Sequence, residues 1–433
     1  MTPGEVAAIM FGTFGALIIL RVPVAFALGL ACVPVLALEE RLTPILLLTE
    51  TAKAYNAFIL LAVPFFLLAA NIMNASGITE RLMAFTRTIV GHFRGGLAQV
   101  NVVVSMIFAG ISGSSTADAA GEGSIIIPAM RREGYDASFS VAITACSSVM
   151  GVIIPPSILM VVWGGIMSVS IGGLFLAGFL PGILVGLSQM VAVHFYAKAR
   201  SYPVYPRATL REFGRTLGNA AAAMLSPVMV IGGVVGGFVT PTEASVLAVV
   251  WSALVGLFVY RSMTVRQVPT VLYETARLAS ISLFCIGTAS AFGWLLAYYR
   301  IPKAVVTWLA PFATGVTTAG FLMAFVFLVI GCFIDAVPAI IILGPLLEPL
   351  ATSVGMHPIH FAIIGVVSMA FGLVTPPYGL CLLIDCAIAR ITVREAIADV
   401  LIILIPMLVA LALIIMFPGA ILALPRLLMP KFV

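Results

Sequence analysis

Two neighbouring apolar runs between Phe108 and Pro156 are each interrupted by residues that break helices. The first run stops at the small, polar segment 110–118, which reads GISGSSTAD, and the second stops at 151–156, which reads GVIIPP. Unwound backbone at membrane depth frees N–H and C=O groups that lipid cannot satisfy, so it occurs only where protein or a polar cavity receives it. We therefore expect a binding site where these two interruptions meet.

The composition requires lipid as the main solvent of this chain. Of its 433 residues, 62% are hydrophobic and 9% are charged, and the mean hydropathy is +1.20. A soluble protein of this size could not hide so much apolar surface. The basic excess, 22 Lys and Arg against 17 Asp and Glu, lies in short loops between apolar runs and does not indicate nucleic acid. No His, Cys and acid combination has the spacing of a catalytic set, so we do not expect an enzyme or an organic cofactor.

The interruptions recur about half a chain later. With a shift of 221 residues, Pro128 corresponds to Pro349, Gly151 to Gly372, and the pair Pro155-Pro156 to Pro376-Pro377. Upstream of this block the register slips by four, which pairs Asp118 with Asp335. Matching interrupted helices in two halves of one chain are typical of secondary transporters.

The pattern predicts an all-α polytopic membrane protein with two halves of the same organisation. The first half, 1–197, contains a re-entrant helical hairpin at 97–128 (hairpin 1) and a proline-broken helix at 137–169. A polar linker at 198–216 precedes the second half, 217–433, with a hairpin at 316–347 (hairpin 2) and a proline-broken helix at 361–389. Single crossings are expected at 55–75, 171–196, 279–298 and 400–424, an amphipathic interfacial helix at 78–93, and a short connection at 300–313.

The basic residues favour an inverted arrangement of the halves. Placing the linker in the cytoplasm requires that 5–38 and 217–260 each cross twice, which gives five crossings and one hairpin per half. An odd number of crossings inverts the second half relative to the first. Six of the 22 basic residues are then outside (Arg41, Lys53, Arg300, Lys303, Arg426 and Lys431), and the remaining 16 are inside, as the positive-inside rule expects. Both termini are expected in the periplasm of a bacterium, with the chain in its inner membrane.

Five sequence segments resemble the large membrane subunit of the tripartite ATP-independent periplasmic (TRAP) transporters. They are RVPVAFALG (21–29), VPFFLLAANIMNASGITERL (63–82), FAGISGSSTADAAGEGSIIIPAM (108–130), GGFVTPTEAS (236–245) and FGLVTPPYG (371–379). The resemblance extends over nearly the whole chain, and the segment in hairpin 1 is specific to the family.

This resemblance implies sodium-driven import of an organic acid, such as a C4-dicarboxylate, sialic acid or a sugar acid. It further implies a periplasmic substrate-binding protein that delivers the acid, and a small four-helix membrane subunit, here expected as a separate polypeptide. The implied fold is two inverted repeats with an elevator-type transport domain. One sodium site is expected in each repeat, with the substrate between the hairpin tips.

The chemistry of broken helices suggests which residues hold the ions. Sodium prefers oxygen ligands, which unwound carbonyls supply, while helix N-termini facing a cavity favour a carboxylate. The candidates for the first sodium site are Ser112, Ser114, Ser115, Asp118, Gly151 and Pro155. Those for the second sodium site are Gly331, Asp335, Gly372, Thr375 and Pro377. The substrate candidates are Ser115, Thr116, Pro156, Ser157, Thr375 and Tyr378.

Several roles stay open at this stage. Asp118 and Asp335 either ligate sodium directly or cap the hairpin helices. The Thr375 hydroxyl either ligates sodium or bonds only a neighbouring carbonyl. Glu122, Glu243 and Asp385 are weaker candidates, expected nearer an interface. The rival function is a proton-driven permease in which the two aspartates carry protons.

The charge distribution predicts the topology. A cysteine introduced at Ser201 should react with a membrane-impermeant maleimide from the cytoplasm, and one near Val433 from the periplasm. Labelling of both positions from the same side would contradict the inverted arrangement.

Overall fold

The computed structural model describes residues 1–39, 41–200 and 202–432, and every regular element in these residues is helical. The first half contains α1 (Pro3–Ile19), α2 (Val24–Leu38), α3 (Ile45–Tyr55), α4 (Ala62–Ala75), α5 (Ile78–Val90), α6 (Gly96–Ser112), α7 (Ser115–Arg132), α8 (Ala137–Ser148), α9 (Ile158–Met167) and α10 (Ile171–Arg200). Short 3-10 helices precede α4 at Phe58–Leu61 and follow α8 at Val149–Val152.

The second half has the same order of elements, except that a single helix takes the place of α3 and α4 and one helix is added. It contains α11 (Leu210–Val235), α12 (Pro241–Leu254), α13 (Val268–Tyr298), α14 (Ile301–Leu309), α15 (Val316–Gly331), α16 (Ala336–Ser353), α17 (Pro358–Gly372), α18 (Leu380–Ala389), α19 (Val393–Met416) and α20 (Pro418–Leu428). A π-helical turn extends α12 to Val259.

Seven helices in the described part of the chain are long and apolar enough to cross a membrane. They are Phe58–Ala75, Ile171–Arg200, Leu210–Val235, Pro241–Val259, Val265–Tyr298, Ala336–Ser353 and Val393–Met416. The chain is therefore a multi-pass helical membrane protein. The number of five crossings per half stays a prediction, because it counts α1, α2 and the broken helices, whose pieces are shorter.

Both hairpins and both broken helices are present as helical elements. Hairpin 1 consists of α6 and α7, and hairpin 2 consists of α15 and α16, which continues to Ser353. The first broken helix is α8 and α9, separated by 149–157, and the second is α17 and α18, separated by 373–379. The segment 5–38 forms two helices that meet at the Arg21-Val22-Pro23 turn.

The structure differs from the sequence-based predictions at four other places. The sequence does not predict helix α3, and the predicted connection at 300–313 is mostly the helix α14. The predicted crossing at 400–424 divides at Phe417 into α19 and α20. The linker is shorter than 198–216, because α10 extends to Arg200 and a Thr209–Glu212 capping box starts α11. Ser201, in this linker, and Val433 lie outside the described residues.

The helices recur at nearly constant spacing along the chain. The starts of α6 and α15 are 220 residues apart, those of α7 and α16 are 221 apart, and those of α10 and α19 are 222 apart. The segment from α3 to α4, Ile45–Ala75, corresponds to the continuous helix α13 at a spacing of 223 residues. Each half therefore presents a hairpin and a broken helix in the same order.

The helices pack in two groups. The framework group comprises α1–α5 and α11–α14, in which α12 packs on α4, and α13 packs on α2 and α3. The broken-helix group comprises α6–α10 and α15–α19, in which the two halves interlock: α18 packs on α7, α19 on α8, and α16 on α9. The groups meet where α5 packs on α6, where α13 and α14 pack on α16, and where α4 packs on α6 and α9. This seam positions the candidate site.

Candidate functional site

The turn of hairpin 1 bonds directly to the first helix break. The Ile158 amide donates to the Gly113 carbonyl at 3.1 Å, and the Ser115 hydroxyl donates to the Val149 carbonyl at 3.1 Å. Gly113 has a φ of +67°, and a Cβ there would lie 2.8 Å from the Pro156 carbonyl oxygen. Glycine is needed at this position for both the left-handed turn and the close approach.

Asp118 lies beside the same break. It is fully buried one turn into α7, and a Cβ at Gly151 would overlap its carboxylate and lie 3.0 Å from the Ser115 amide nitrogen. Neither carboxylate oxygen of Asp118 has a hydrogen-bond partner among the described residues. Ser114, not Asp118, caps α7, because the Ser114 hydroxyl accepts from the Ala117 amide at 3.4 Å. The capping role considered for Asp118 is therefore excluded.

Hairpin 2 contacts the second break through two glycines. A Cβ at Gly372 would lie 2.6 Å from the carbonyl carbon of Gly331, so both residues must lack side chains for the backbones to touch. Asp335 caps α16, and its Oδ1 accepts from the Ala336 amide at 2.8 Å. The Thr375 hydroxyl donates to the Phe371 carbonyl at 2.7 Å, which is the local bond considered as its structural role.

The structure corrects the pairing of the two aspartates. Helices α7 and α16 are both 18 residues long, and their capping residues are Ser114 and Asp335, 221 positions apart. At this spacing the counterpart of Asp118 is Ala339. The predicted four-residue slip therefore does not hold within the hairpins. The first hairpin has a neutral cap at the position where the second has a carboxylate.

A cavity of about 640 Å³ lies at the seam between the two groups of helices. Its lining includes the starts of four helices, with Ser115 in α7, Ile158 in α9, Ala336 in α16 and Leu380 in α18. Helices α4 and α13 form the opposite wall. Backbone N–H groups at the N-termini of helices carry partial positive charge, so this convergence can stabilise an anion.

The predicted site residues divide between the cavity and its supports. Ser114, Ser115, Thr116 and Asp335 line the cavity. The buried supports behind it include Ser112, whose hydroxyl accepts from the Ser114 amide, and Ser157, whose hydroxyl donates to the Val152 carbonyl at 2.6 Å.

Eleven of the fifteen predicted residues do not line the cavity, and four of these are three prolines and a tyrosine at the two breaks. Pro155 lines a separate crevice of about 440 Å³ against α6, α10 and α11, and Pro156 packs on Gly113. Pro377 and Tyr378 lie on the surface, and Tyr378 is 49% exposed. The residues that start α9 and α18, Ile158 and Leu380, line the cavity instead, because the helices restart only after the proline pairs.

Sequence reasoning missed the polar residues on the framework wall. Asn71 and Asn74 in α4 and Glu274 in α13 all line the cavity. The Asn71 amide donates to the Thr275 hydroxyl at 2.8 Å, and a Cβ at Gly121 would lie 2.8 Å from the amide of Asn74. Two asparagines within the apolar run 62–75 are the sequence feature that could have indicated this polar wall. Glu274 was missed because α13 begins eleven residues before the predicted crossing.

Two acids expected near an interface are fully buried instead. Glu122 lies one turn after Asp118 on the same side of α7. The Asp385 carboxylate of α18 lies so close to Gly123 that a Cβ at Gly123 would overlap it. The Ser105 hydroxyl donates to Glu122 at 2.7 Å, but neither acid forms an ion pair within the described part of the chain. Glu243, in contrast, is an exposed member of the Thr240 capping box of α12.

Broken helices around a shared cavity in a multi-pass membrane protein define the class of secondary transporters. The sequence-family model for the DctM component of tripartite ATP-independent periplasmic transporters matches residues 11–420, and the chain belongs to this family. The chain is 34% identical over 418 residues to the sialic acid TRAP transporter large permease protein SiaM of Vibrio cholerae, covering 96% of this chain and 98% of that one.

Further similarities agree with this family and with the fold. The chain is 39% identical over 379 residues to the C4-dicarboxylate TRAP transporter large permease protein DctM of Pseudomonas aeruginosa, covering 88% of each chain. The crystal structure of the Alcanivorax borkumensis YdaH transporter shares the fold, with a TM-score of 0.60 at 14% identity over 86% of this chain and 88% of that one. The predictions of a TRAP large permease and of a transporter rather than an enzyme are confirmed.

Replacing Thr375 with Val tests whether its hydroxyl also ligates sodium. The hydroxyl oxygen keeps a lone pair while it donates to the Phe371 carbonyl. If that lone pair holds an ion, Thr375→Val should raise the sodium concentration for half-maximal thermal stabilisation. We expect a rise of about fivefold, taking the lost sodium–oxygen contact to be worth as much as one hydrogen bond. Ser115→Ala should act in the same direction but more weakly, because Ser112 and Ser114 can partly substitute.

Thr307→Val is the matched control, since the Thr307 hydroxyl makes the same kind of bond, to the Lys303 carbonyl at 3.0 Å on α14. A purely structural Thr375 would behave like this control, with lower stability but an unchanged half-saturating sodium concentration.

Proposed function

We propose that this chain is the large permease subunit of a sodium-coupled TRAP system that imports an organic acid across the bacterial inner membrane. A periplasmic binding protein would deliver the acid, and a separate small membrane subunit would support the permease. The observation that carries this proposal is the cavity on which both hairpin turns, both helix breaks and four helix N-termini converge. The relatives named for sialic acid and for C4-dicarboxylates support an organic acid as the substrate class.

Sodium would bind behind the cavity, where the breaks supply oxygen. In the first half, the Ser112 and Ser115 hydroxyls, the unwound carbonyls after Ser148 and the unpartnered Asp118 carboxylate offer the ligands. In the second half, the Gly331–Gly372 contact, Asp335 and Thr375 offer the counterparts. Sodium at either place would join a hairpin to a break, and so couple ion binding to the shape of the cavity.

Transport would proceed by movement of the broken-helix group against the framework group. The nearly constant spacing of the helices supports two repeats, and the charge distribution supports their inversion in the membrane. The cavity lies between the groups, with Asn74 of α4 against Gly121 of α7. An elevator-type displacement along this seam would carry the bound acid across the bilayer.

Proton coupling is the second candidate function. It is favoured by Asp118, Glu122 and Asp385, three fully buried carboxyl groups that form no ion pair in the described residues. A charged carboxylate at mid-bilayer costs about 2.5–3.5 kcal/mol, so neutral, protonated groups are the alternative to bound sodium.

Ion replacement separates these two functions. The chain is reconstituted in vesicles with its small subunit and supplied with the binding protein loaded with radiolabelled acid. An inward sodium gradient should drive accumulation, and replacement of sodium by potassium should abolish it at every pH. Accumulation driven by a pH gradient without sodium, and lost in Glu122→Gln, would favour proton coupling instead.

A further inference from the structure

The charges around the cavity are distributed unevenly. Among the described residues that line it, two are acidic, Asp335 and Glu274, and none is Lys or Arg. The N-terminus of α16 is already capped by the Asp335 carboxylate, whereas that of α7 has the neutral cap Ser114. Of the two hairpin helices, α7 is therefore the one whose start better stabilises a substrate carboxylate, and the Thr116 hydroxyl lines the cavity beside it.

Glu274 faces the cavity from the opposite wall. Val271, Glu274, Leu278 and Ile281 follow one another at helical spacing along α13, and all four line the cavity. The Glu274 side chain is exposed and has neither a hydrogen bond nor an ion pair to any described residue. Its neighbour Thr275 is bonded to Asn71, which fixes this part of α13 to α4. The Glu274 carboxylate is thus available to accept hydrogen bonds, and it projects from a part of α13 that is held in place by α4.

The charges of the lining bear on whether the substrate carries one carboxylate or two. With one carboxylate at the start of α7, the other end of the substrate extends towards Glu274 across a cavity of about 640 Å³. A second carboxylate there would meet a like charge with no basic side chain in the lining, whereas a hydroxyl or amide N–H would donate to Glu274. Sodium bound at Asp335 would offset that charge only, and would leave Glu274 unchanged.

We propose that the transported acid carries a single carboxylate and hydrogen-bond donors at its opposite end, and that Glu274 excludes dicarboxylates. The inference rests on the proposed function, since it names the substrate class of that same cavity. It separates the substrate classes for which the two relatives described above are named, and favours the hydroxylated monocarboxylates over the C4-dicarboxylates.

Two pairs of acids test this proposal, because the members of each pair differ only at the far end. Galactonate and 4-hydroxybutyrate end in CH₂OH, where galactarate and succinate end in a second carboxylate. Affinities are measured in sodium by thermal stabilisation of the purified chain with its small subunit. The hydroxyl-terminated member of each pair should bind more tightly. Glu274→Gln should reduce the preference about tenfold, by weakening a charge-assisted hydrogen bond and relieving the repulsion.

Glu348→Gln is the matched control, because Glu348 is exposed on α16 and does not line the cavity. It should leave the preference unchanged. Tighter binding of the dicarboxylates to the unmodified protein, or an unaltered preference in Glu274→Gln, would overturn the inference while leaving the proposed function intact. Failure of all four acids to bind in a sodium-dependent manner would count against the proposed function, and the inference would fall with it.

Discussion

The structure depends on how unwound backbone is satisfied within a membrane protein. Lipid supplies no hydrogen bonds, so each break in a helix needs partners from the protein itself. The first break finds them in hairpin 1, through the bonds of Gly113 to Ile158 and of Ser115 to Val149. The second break is satisfied within its own turn, where the Thr375 hydroxyl donates to the Phe371 carbonyl and the Cys381 amide donates to the Leu373 carbonyl. It also touches hairpin 2 at the Gly331–Gly372 contact, so in each half the break and the hairpin turn lie against each other.

This pairing of breaks with hairpins creates the cavity. A helix that restarts after a break presents a new N-terminus, and each half contributes two of them, one from its hairpin and one from its broken helix. The four N-termini face α4 and α13, whose Asn71, Asn74 and Glu274 provide the polar groups of the opposite wall. The two halves are nonetheless chemically unequal, because Ser114 and Asp335 occupy equivalent capping positions. The two hairpins thus place an uncharged helix N-terminus, at α7, and a carboxylate-capped one, at α16, on the same cavity.

The sequence predicted the elements that depend on local backbone chemistry. Glycines and proline pairs marked both hairpins and both broken helices within a few residues, because no side-chain contact is needed to recognise a helix break. Contacts between distant segments could not be read in this way. The burial of Asp385 against Gly123 and the place of Glu274 on the cavity wall depend on how helices pack. The prolines of the two pairs were also predicted to belong to the sites themselves. The residues that line the cavity are instead those that start the next helices, Ile158 and Leu380.

We expect this cavity to hold an organic acid only when sodium is bound. Ala120 on α7 lines the cavity and is exposed, and all six native cysteines are buried, so Ala120→Cys provides a single accessible thiol. Its maleimide labelling is measured with N-acetylneuraminate, galactonate or succinate, each in sodium and in potassium. At least one acid should protect the thiol in sodium, and none should protect it in potassium. Equal labelling under all conditions, or protection that does not require sodium, would contradict this expectation.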